Sequence, residues 1–395
     1  MATGPLAGVR IIELAGIGPC PFAGMMLADM GADVIVVERP AAQRSLGGGG
    51  AMNRGKRSLV LDLKKPEALE ALRQLILTAD GLIEGYRPGV MERLGLGPTA
   101  LEAQHPRLVF GRVTGWGQTG PLAQAAGHDL NYVALSGLLN LSQRPGQAPT
   151  LPATVVGDMA SGGLLLAFGM VCALLEAQRS GRGQVIDAAM LDGANLLGSL
   201  VRSLAGQGHW PESPAQNFFL HSSPFYDSFE CSDGRFLSLG AIEPAFYREL
   251  LQRLDLADED PAQQMDTRQW PRLRERVAAR LREKPRHAWM ALLEGTDACV
   301  AGVLSLDEAP LHPHQQARQA YTQVQGQWQA NPAPRFSRSQ TRAPGAPPAA
   351  GAHGADILAS LQLAPGTVEA LLLDAVTTEG PRTGAAALEA VQGGQ

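Results

Sequence analysis

The first forty residues contain two apolar runs typical of buried strands, separated by one that is typical of a helix. Residues 9–14 (VRIIEL) and 32–38 (ADVIVVE) are short, continuous and rich in branched side chains, whereas residues 22–30 (FAGMMLADM) suit a short helix. Two strands joined by a crossover helix run parallel, and this βαβ unit packs helices against a sheet. The start of the chain therefore predicts an α/β fold.

The same alternation continues along the next part of the chain. Residues 59–63 and 81–84 are predicted strands on either side of a helix over 66–78, and residues 108–113 form another strand. The turn after the first strand (AGIGPCP, residues 15–21) has Pro21 where a dinucleotide fingerprint needs a glycine. We therefore expect an open, mostly parallel, Rossmann-like sheet with only a weak signal for nicotinamide binding.

The length of 395 residues exceeds one ordinary core, and composition shifts suggest where the chain divides. The stretch before residue 224 is rich in Gly, Pro, Ser and Asn, and two alternating runs then flank the hairpin turn Ser232-Asp233-Gly234. The sequence predicts a large α/β domain, a linker, a small α+β domain, and a closing linker with helices, over residues 1–205, 206–224, 225–325 and 326–395 respectively.

Composition excludes several classes of function. Charged residues make up 18% of the chain, apolar residues 45%, and the net charge is −5, which is typical of a soluble folded protein and argues against non-specific nucleic-acid binding. Four widely spaced cysteines and the absence of a signal pattern favour a cytoplasmic protein. The apolar segment 159–175 is shorter than the roughly 20 residues of a membrane span, so we interpret it as a buried helix.

A histidine and an acid stand out near two predicted helix starts. His128 lies in GHDLNY (residues 127–132), and Asp158 precedes the small-residue run ASGG (160–163). Both side chains exchange protons near neutral pH once their surroundings tune them. Taken singly, each has an ordinary structural explanation: a loop histidine, and an N-cap acid for Asp158. Glu243 before Pro244 is equally well explained as an N-cap.

Basic residues cluster at the ends of the predicted strands, where open α/β sheets bind ligands. In an acidic protein such a cluster could hold a polyphosphate, although a solvated rim explains any one of them equally well. The candidates are Arg39, Arg54, Lys56, Arg87 and Arg93. His312 and His314 lack a third ligand, so no metal site is expected.

Nine motifs occur in order between residues 11 and 300: IIELA (11–15), LADMGADV (27–34), NRGKRSLVLDLK (53–64), RPGVMERLGLG (87–97), GWGQTGP (115–121), GHDLNY (127–132), Gly157-Asp158, GAIEPAFY (240–247) and GTDACV (295–300). Together they resemble the family III CoA-transferase superfamily. The combination of GHD with GAIEP is similar to its branch of α-methylacyl-CoA racemases.

This resemblance implies a function and a set of roles. It implies an interlocked homodimer in which both chain ends build the large domain, and a 2-methyl-branched acyl-CoA substrate from lipid metabolism. The CoA would lie near Arg39, Lys56, Arg87 and Arg93, to which the strand-end cluster adds Arg54. His128 and Asp158 would be the two acid/base groups, with Glu243 paired to the histidine and the amide of Asp129 near the enolate oxygen. No metal or redox cofactor is expected.

Two other classes of function remain open. In the CoA-transferases of the same superfamily, the acid that corresponds to Asp158 attacks the acyl-CoA and carries the acyl group as an anhydride. That chemistry needs no histidine at position 128, and those enzymes have a glycine-rich loop where this chain has GAIE (240–243). A non-catalytic CoA- or nucleotide-binding protein would make the pairing of His128 with Asp158 a coincidence.

Overall fold

The computed structural model describes residues 3–40, 50–144, 146–364 and 366–376. These residues form two compact units. The first takes the described parts of Met1–Ser136, Pro152–Leu197 and Ala317–Gln395, and the second takes Gly137–Leu151 and Gly198–Gln316. The first unit therefore contains chain from both ends of the sequence.

A six-stranded parallel sheet organises the first unit, in the order β3-β2-β1-β4-β5-β6. This is the doubly wound arrangement, with a switch in strand order between β1 and β4. The α/β fold with a Rossmann-like sheet is thus confirmed. The strands are β1 (Arg10–Leu14), β2 (Asp33–Glu38), β3 (Arg57–Val60), β4 (Gly81–Glu84), β5 (Val109–Thr114) and β6 (Val185–Ala189).

Successive residues of β1 point to opposite faces of this sheet, and each face is covered by helices. Ile12 packs in a core with Leu72 of α2, whereas Ile11 packs in a second core with Met170 of α6. Both faces of the sheet are buried, because the crossover helices of a parallel sheet cover both of its sides. The covering helices are α1 (Pro19–Asp29), α2 (Pro66–Leu77), α3 (Val90–Arg93), α4 (Pro98–Glu102), α5 (Asp129–Ser136), α6 (Leu165–Ser180) and α7 (Met190–Leu197).

The long apolar helix differs from the sequence prediction at its start. A π-helical segment, Val155–Leu164, runs directly into α6, so the helix begins at Val155 with Thr154 as N-cap, and Asp158 lies inside its first turns. The combined helix has 26 residues and by length and composition is apolar enough to cross a membrane, which removes the argument that this segment is too short. It ends at Gly181, whose φ of 75° is typical of a glycine that terminates a helix.

The second unit has an antiparallel sheet in the order β7-β8-β9, with β7 at Tyr226–Glu230, β8 at Phe236–Gly240 and β9 at Val300–Gly302. The predicted hairpin is confirmed, and the short strand β9 was missed. One aromatic-rich core holds this unit together around Phe225, Tyr247 and Trp289. Its helices are α8 (Ser199–Gly206), α9 (Pro244–Arg253), α10 (Trp270–Leu281), α11 (Arg286–Leu293) and α12 (Pro313–Ala317).

The chain then rejoins the first unit through a hairpin of β10 (Tyr321–Val324) and β11 (Gln327–Ala330), followed by α13 (Gly354–Ala359) and α14 (Thr367–Val376). Between β11 and α13 there is no regular helix or strand. Ser58 of β3 anchors this return: its hydroxyl accepts a hydrogen bond from Gly351 N at 2.7 Å, and its amide donates to Nδ1 of His353 at 3.1 Å.

Candidate active site

Asp158 lies over the carboxyl end of β1, beside the switch in strand order. A Cβ placed on Gly18, in the turn between β1 and α1, would lie 3.3 Å from Oδ2 of Asp158. Open α/β sheets bind their ligands in the crevice at this position. The side chain of Asp158 is partly buried. The fold thus presents one acid at the place where ligands are expected.

The glycines around Asp158 are explained by close packing of protein against the π-helical segment. A Cβ on Gly162 would lie 2.8 Å from Cβ of Pro19, one on Gly163 would lie 2.7 Å from the carbonyl oxygen of Pro19, and one on Gly193 of α7 would lie 2.2 Å from that of Ser161. Glycine lets a neighbouring segment approach the backbone closely. The neighbours that approach are α1 and α7.

His128 immediately precedes α5, and its backbone begins that helix. Its amide donates to Oδ1 of Asn131 at 3.0 Å, and its carbonyl oxygen accepts from the amide of Asn131 at 2.8 Å. The side chain of His128 is exposed. The first turn of α5 leaves backbone N–H groups without an intrahelical acceptor, which makes the Asp129 amide a suitable donor to a developing negative charge.

A direct hydrogen bond joins the two candidate segments. Oδ1 of the buried Asp129 accepts from the amide of Asp158 at 2.7 Å. A Cβ on Gly157 would lie 2.5 Å from the same oxygen, so glycine is required there. The structure therefore brings His128, Asp129 and Asp158 together.

Of these three residues, Asp158 is the one whose pKa bears most directly on proton transfer. Burial and the nearby Asp129 carboxylate raise its pKa to about 6, against a smaller opposing effect of His128. An acid with this pKa exists in both protonation states near neutral pH, as a group that gives and takes protons requires. The expected rise in its pKa is present.

Tyr132 is a site residue that the sequence reasoning did not single out. Its hydroxyl donates to the carbonyl oxygen of Gly127, and its ring makes an edge contact with Trp116 at 4.7 Å between centroids. A Cβ on Gly115 would collide with this ring. Burial and the nearby Asp158 raise the pKa of Tyr132. Gly115 of GWG and Gly127 of GHD were the available signal, because each leaves room for the ring.

Three of the predicted CoA-contacting cations are exposed near the carboxyl ends of the strands. Arg39 follows β2 and lies over the ring of Tyr86 at 5.5 Å, while Arg87 follows β4 and Arg93 ends α3. Arg87 also acts electrostatically on Tyr132, which places it beside the Asp158 region. This arrangement supports the prediction that an anionic ligand binds at this edge.

Arg54 and Lys56 differ from these three cations because both are buried in ion pairs. Arg54 forms a bidentate ion pair with Asp29, at 2.6 and 3.1 Å. Nζ of Lys56 is fully buried and lies 2.7 Å from Oε2 of Glu13 on β1. A buried cation needs a partner of its own, and each has one inside the first unit. Contact of Arg54 and Lys56 with CoA stays a prediction.

Glu243 belongs to the second unit, where it is exposed and occupies the N-cap position of α9 with Pro244 at the first helical position. Its carboxylate does not form the capping hydrogen bond. The N-cap reading of the sequence is therefore right for its backbone, and its pairing with His128 stays a prediction. Among the described residues, no group of three or more His, Cys, Asp and Glu side chains is arranged to hold a metal.

Comparison with known proteins identifies the family. Residues 6–354 match the profile described as CoA-transferase family III. The chain belongs to CoA-transferase family III. The sequence resemblance is thereby confirmed, and the family accounts for almost the whole described chain.

Within family III, the chain is similar to proteins with two kinds of name. It is 40% identical to mouse (Mus musculus) "Alpha-methylacyl-CoA racemase" over 358 residues, 89% of this chain and 92% of the mouse protein. It is 41% identical to the human (Homo sapiens) protein of the same name, over 80% of this chain and 82% of that protein. It is also 30% identical to mouse "Succinyl-CoA:glutarate CoA-transferase", over 94% and 90% of the two chains.

Solved structures of the family share this fold. A CaiB/BaiF family protein from Brucella suis matches with a TM-score of 0.79 and 27% identity, covering 91% of this chain and 100% of that one. A hypothetical protein from Mycobacterium tuberculosis matches with a TM-score of 0.75 and 27% identity, over 90% and 100% of the two chains.

Proposed function

We propose that this family III protein is an α-methylacyl-CoA racemase, which interconverts (2R)- and (2S)-2-methylacyl-CoA thioesters. The observation that carries the proposal is the juxtaposition of His128 with an Asp158 whose pKa is raised to about 6, at the ligand-binding edge of the sheet. Relatives that bear the racemase name are about 40% identical over most of the chain. The physiological setting that follows from this substrate is lipid metabolism.

The chemistry needs one base and one acid on opposite faces of the α-carbon. In one direction, neutral His128 removes the α-proton while protonated Asp158 delivers a proton to the other face, and the roles reverse for the other enantiomer. A base alone is not enough, because the α-hydrogen of a thioester is far less acidic than either side chain. The enolate oxygen must be stabilised while it forms, and the Asp129 amide at the start of α5 is the proposed donor.

Substrate binding and the remaining roles are part of the same proposal. Arg39, Arg87 and Arg93 bind the phosphates of CoA, because they are cations that are exposed at this edge. Glu243 orients the ring of His128 and stabilises its cation. No cofactor takes part, and the active form is a homodimer, as the family resemblance implies. A cytoplasmic location is proposed because the four cysteines are widely spaced, as suits reduced thiols.

A CoA-transferase is the second candidate, because transferases are also among the similar proteins. It would use Asp158 as a nucleophile that forms an anhydride with the acyl group. Two sequence features favour the racemase over this role: transferase chemistry needs no histidine at position 128, and the chain has GAIE (240–243) where the transferases have a glycine-rich loop.

Two parallel incubations separate these candidates, one without and one with an acceptor acid. Purified protein and a single enantiomer of a 2-methylacyl-CoA are mixed in D2O without an acceptor acid, and the product is examined by chiral chromatography and mass spectrometry. Racemisation with uptake of one α-deuterium is expected, and it should be lost in His128→Ala and in Asp158→Ala. Transfer of CoA to an added carboxylic acid, without racemisation, would establish the transferase instead.

A further inference from the structure

The side chain of Asp129 connects two parts of the site that are far apart in the sequence. Its own backbone follows His128 directly, and its carboxylate accepts a hydrogen bond from the backbone of Asp158, 29 residues later, at 2.7 Å. Hydrogen bonds to a charged acceptor are stronger than neutral ones. One short side chain therefore fixes the distance between the histidine loop and the helix that bears the acid.

The surroundings of this bond leave it little freedom. Asp129 is only 8% exposed, and Gly157 has no room for a Cβ because the Asp129 carboxylate occupies that space. Catalytic groups must hold their geometry to within fractions of an ångström, and a misplacement of about 1 Å can cost about 100-fold in rate. A buried, charged clamp at the joint between the two segments meets this requirement.

We propose that the Asp129 carboxylate is a positioning residue, which holds the His128 loop against the helix of Asp158 and keeps a negative charge beside the Asp158 carboxyl. This inference rests on the proposed racemase function, and it is distinct from the use of the Asp129 amide as a donor to the enolate. It assigns two separable effects to one side chain: a hydrogen bond that sets geometry, and a charge that keeps Asp158 protonated to higher pH.

Few other charged groups affect the pKa of Asp158. Asp129 raises the pKa of the Asp158 carboxyl and His128 lowers it, while Tyr132 faces it from α5 and the turn before α1 presents the backbone of Gly18. The helix α7 packs there through the uncharged Met190 and Gly193. Charged groups on the other packed elements, such as Arg112, Asp187 and Asp192, are not among the causes of the shift.

Two substitutions separate the hydrogen bond from the charge. Asp129→Asn keeps an oxygen acceptor but removes the charge. For the enantiomer that His128 deprotonates, Asp158 must be protonated, so the alkaline limb of the kcat profile should move to lower pH while the KM for the acyl-CoA changes little. Asp129→Ala removes both effects, so kcat should fall about 100-fold at every pH. Both variants retain the backbone amide. Asp187→Asn is the matched control, because Asp187 also accepts a backbone hydrogen bond, from Gln118 at 2.9 Å, and should leave the profile unchanged.

A second readout does not depend on turnover. Protein labelled with ¹³C at the aspartate carboxyl groups is titrated by NMR, and the Asp158 signal is assigned by its loss in Asp158→Asn. Its midpoint should lie near 6 in the wild type and lower in Asp129→Asn. If the wild type does not racemise, the racemase function fails while this titration still tests the clamp. An unchanged Asp158 midpoint in Asp129→Asn, or wild-type turnover in Asp129→Ala, would overturn the inference.

Discussion

Among the individual residues, Asp158 destabilises the folded state as a consequence of its proposed role in proton transfer. Its pKa rises from 3.8 to about 6 on folding, so the unfolded chain releases this proton at lower pH than the folded chain does. Stability is therefore lost as the pH rises from about 4 to about 6, and the full cost persists above that range. An acid tuned for proton transfer is in this sense a destabilising residue.

Asp158→Asn should consequently abolish racemisation and yet raise the melting temperature at pH 8. After a discount for its partial exposure, the gain in the free energy of unfolding should be about 1 kcal/mol. The gain should shrink as the pH is lowered towards 4, where the folded carboxyl is protonated and the unfolded one is about half protonated. Differential scanning calorimetry at both pH values measures it. Asp307→Asn, at an exposed loop position, serves as control, and an equal gain at both pH values would contradict the linkage.

At the level of helices, the π-helical segment and α7 pack closely because Gly193 of α7 lies at their contact. A Cβ on Gly193 would lie 2.2 Å from the carbonyl oxygen of Ser161, and backbone cannot move aside as a side chain can. Gly193→Ala should therefore push α7 away from the helix that bears Asp158. We expect a loss of about 1–3 kcal/mol in stability, and a fall in kcat as Asp158 shifts.

The measurements for Gly193→Ala are urea unfolding and the racemisation rate. Gly206→Ala is the matched control, because Gly206 is also helical, at the end of α8, but has open space around its Cβ position. The control should keep its activity and gain up to about 1 kcal/mol from the better helix propensity of alanine. Equal behaviour of the two variants would show that packing at Gly193 does not hold the site.

The elements that the sequence predicted well are those whose signal is local. The strands β1, β2 and β4 were placed to within a residue, because buried parallel strands are continuous apolar runs. The helix α9 was found through Glu243 and Pro244, a local N-terminal signal. The sheet class followed from the order of these elements.

The features that the sequence missed depend on contacts that are distant along the chain. The π-helical segment was not foreseen, since its start at Val155 reflects packing against α1, α5 and α7 and has no capping signal of its own. The ion pairs of Arg54 and Lys56 were not foreseen, because their partners, Asp29 and Glu13, are 25 and 43 residues away. The bond of Asp129 to Asp158 was invisible for the same reason.

On the scale of the whole protein, the helix that carries Asp158 presents an apolar stripe that the described residues leave exposed. Leu164, Phe168, Val171 and Leu175 recur at helical spacing on one face, and Phe168 is 64% exposed. The opposite face is buried against the sheet through Leu166, Met170 and Ala173 among others. A stripe of this kind marks an interaction surface, and the family resemblance indicates a second copy of the chain as its occupant.

A single charged substitution in this stripe tests the predicted homodimer. Phe168→Glu should convert a dimer into a monomer, because it places a carboxylate in the middle of an apolar contact that offers no partner for it. Light scattering coupled to size-exclusion chromatography measures the mass. Ala100→Glu, at an exposed position of α4, adds the same charge away from the stripe and should leave the dimer intact.

A lipid bilayer is the competing occupant of the stripe, since the 26-residue helix is long and apolar enough to cross a membrane. A wild-type monomer that floats with phospholipid vesicles, and loses this binding in Phe168→Glu, would replace the dimer with a membrane surface.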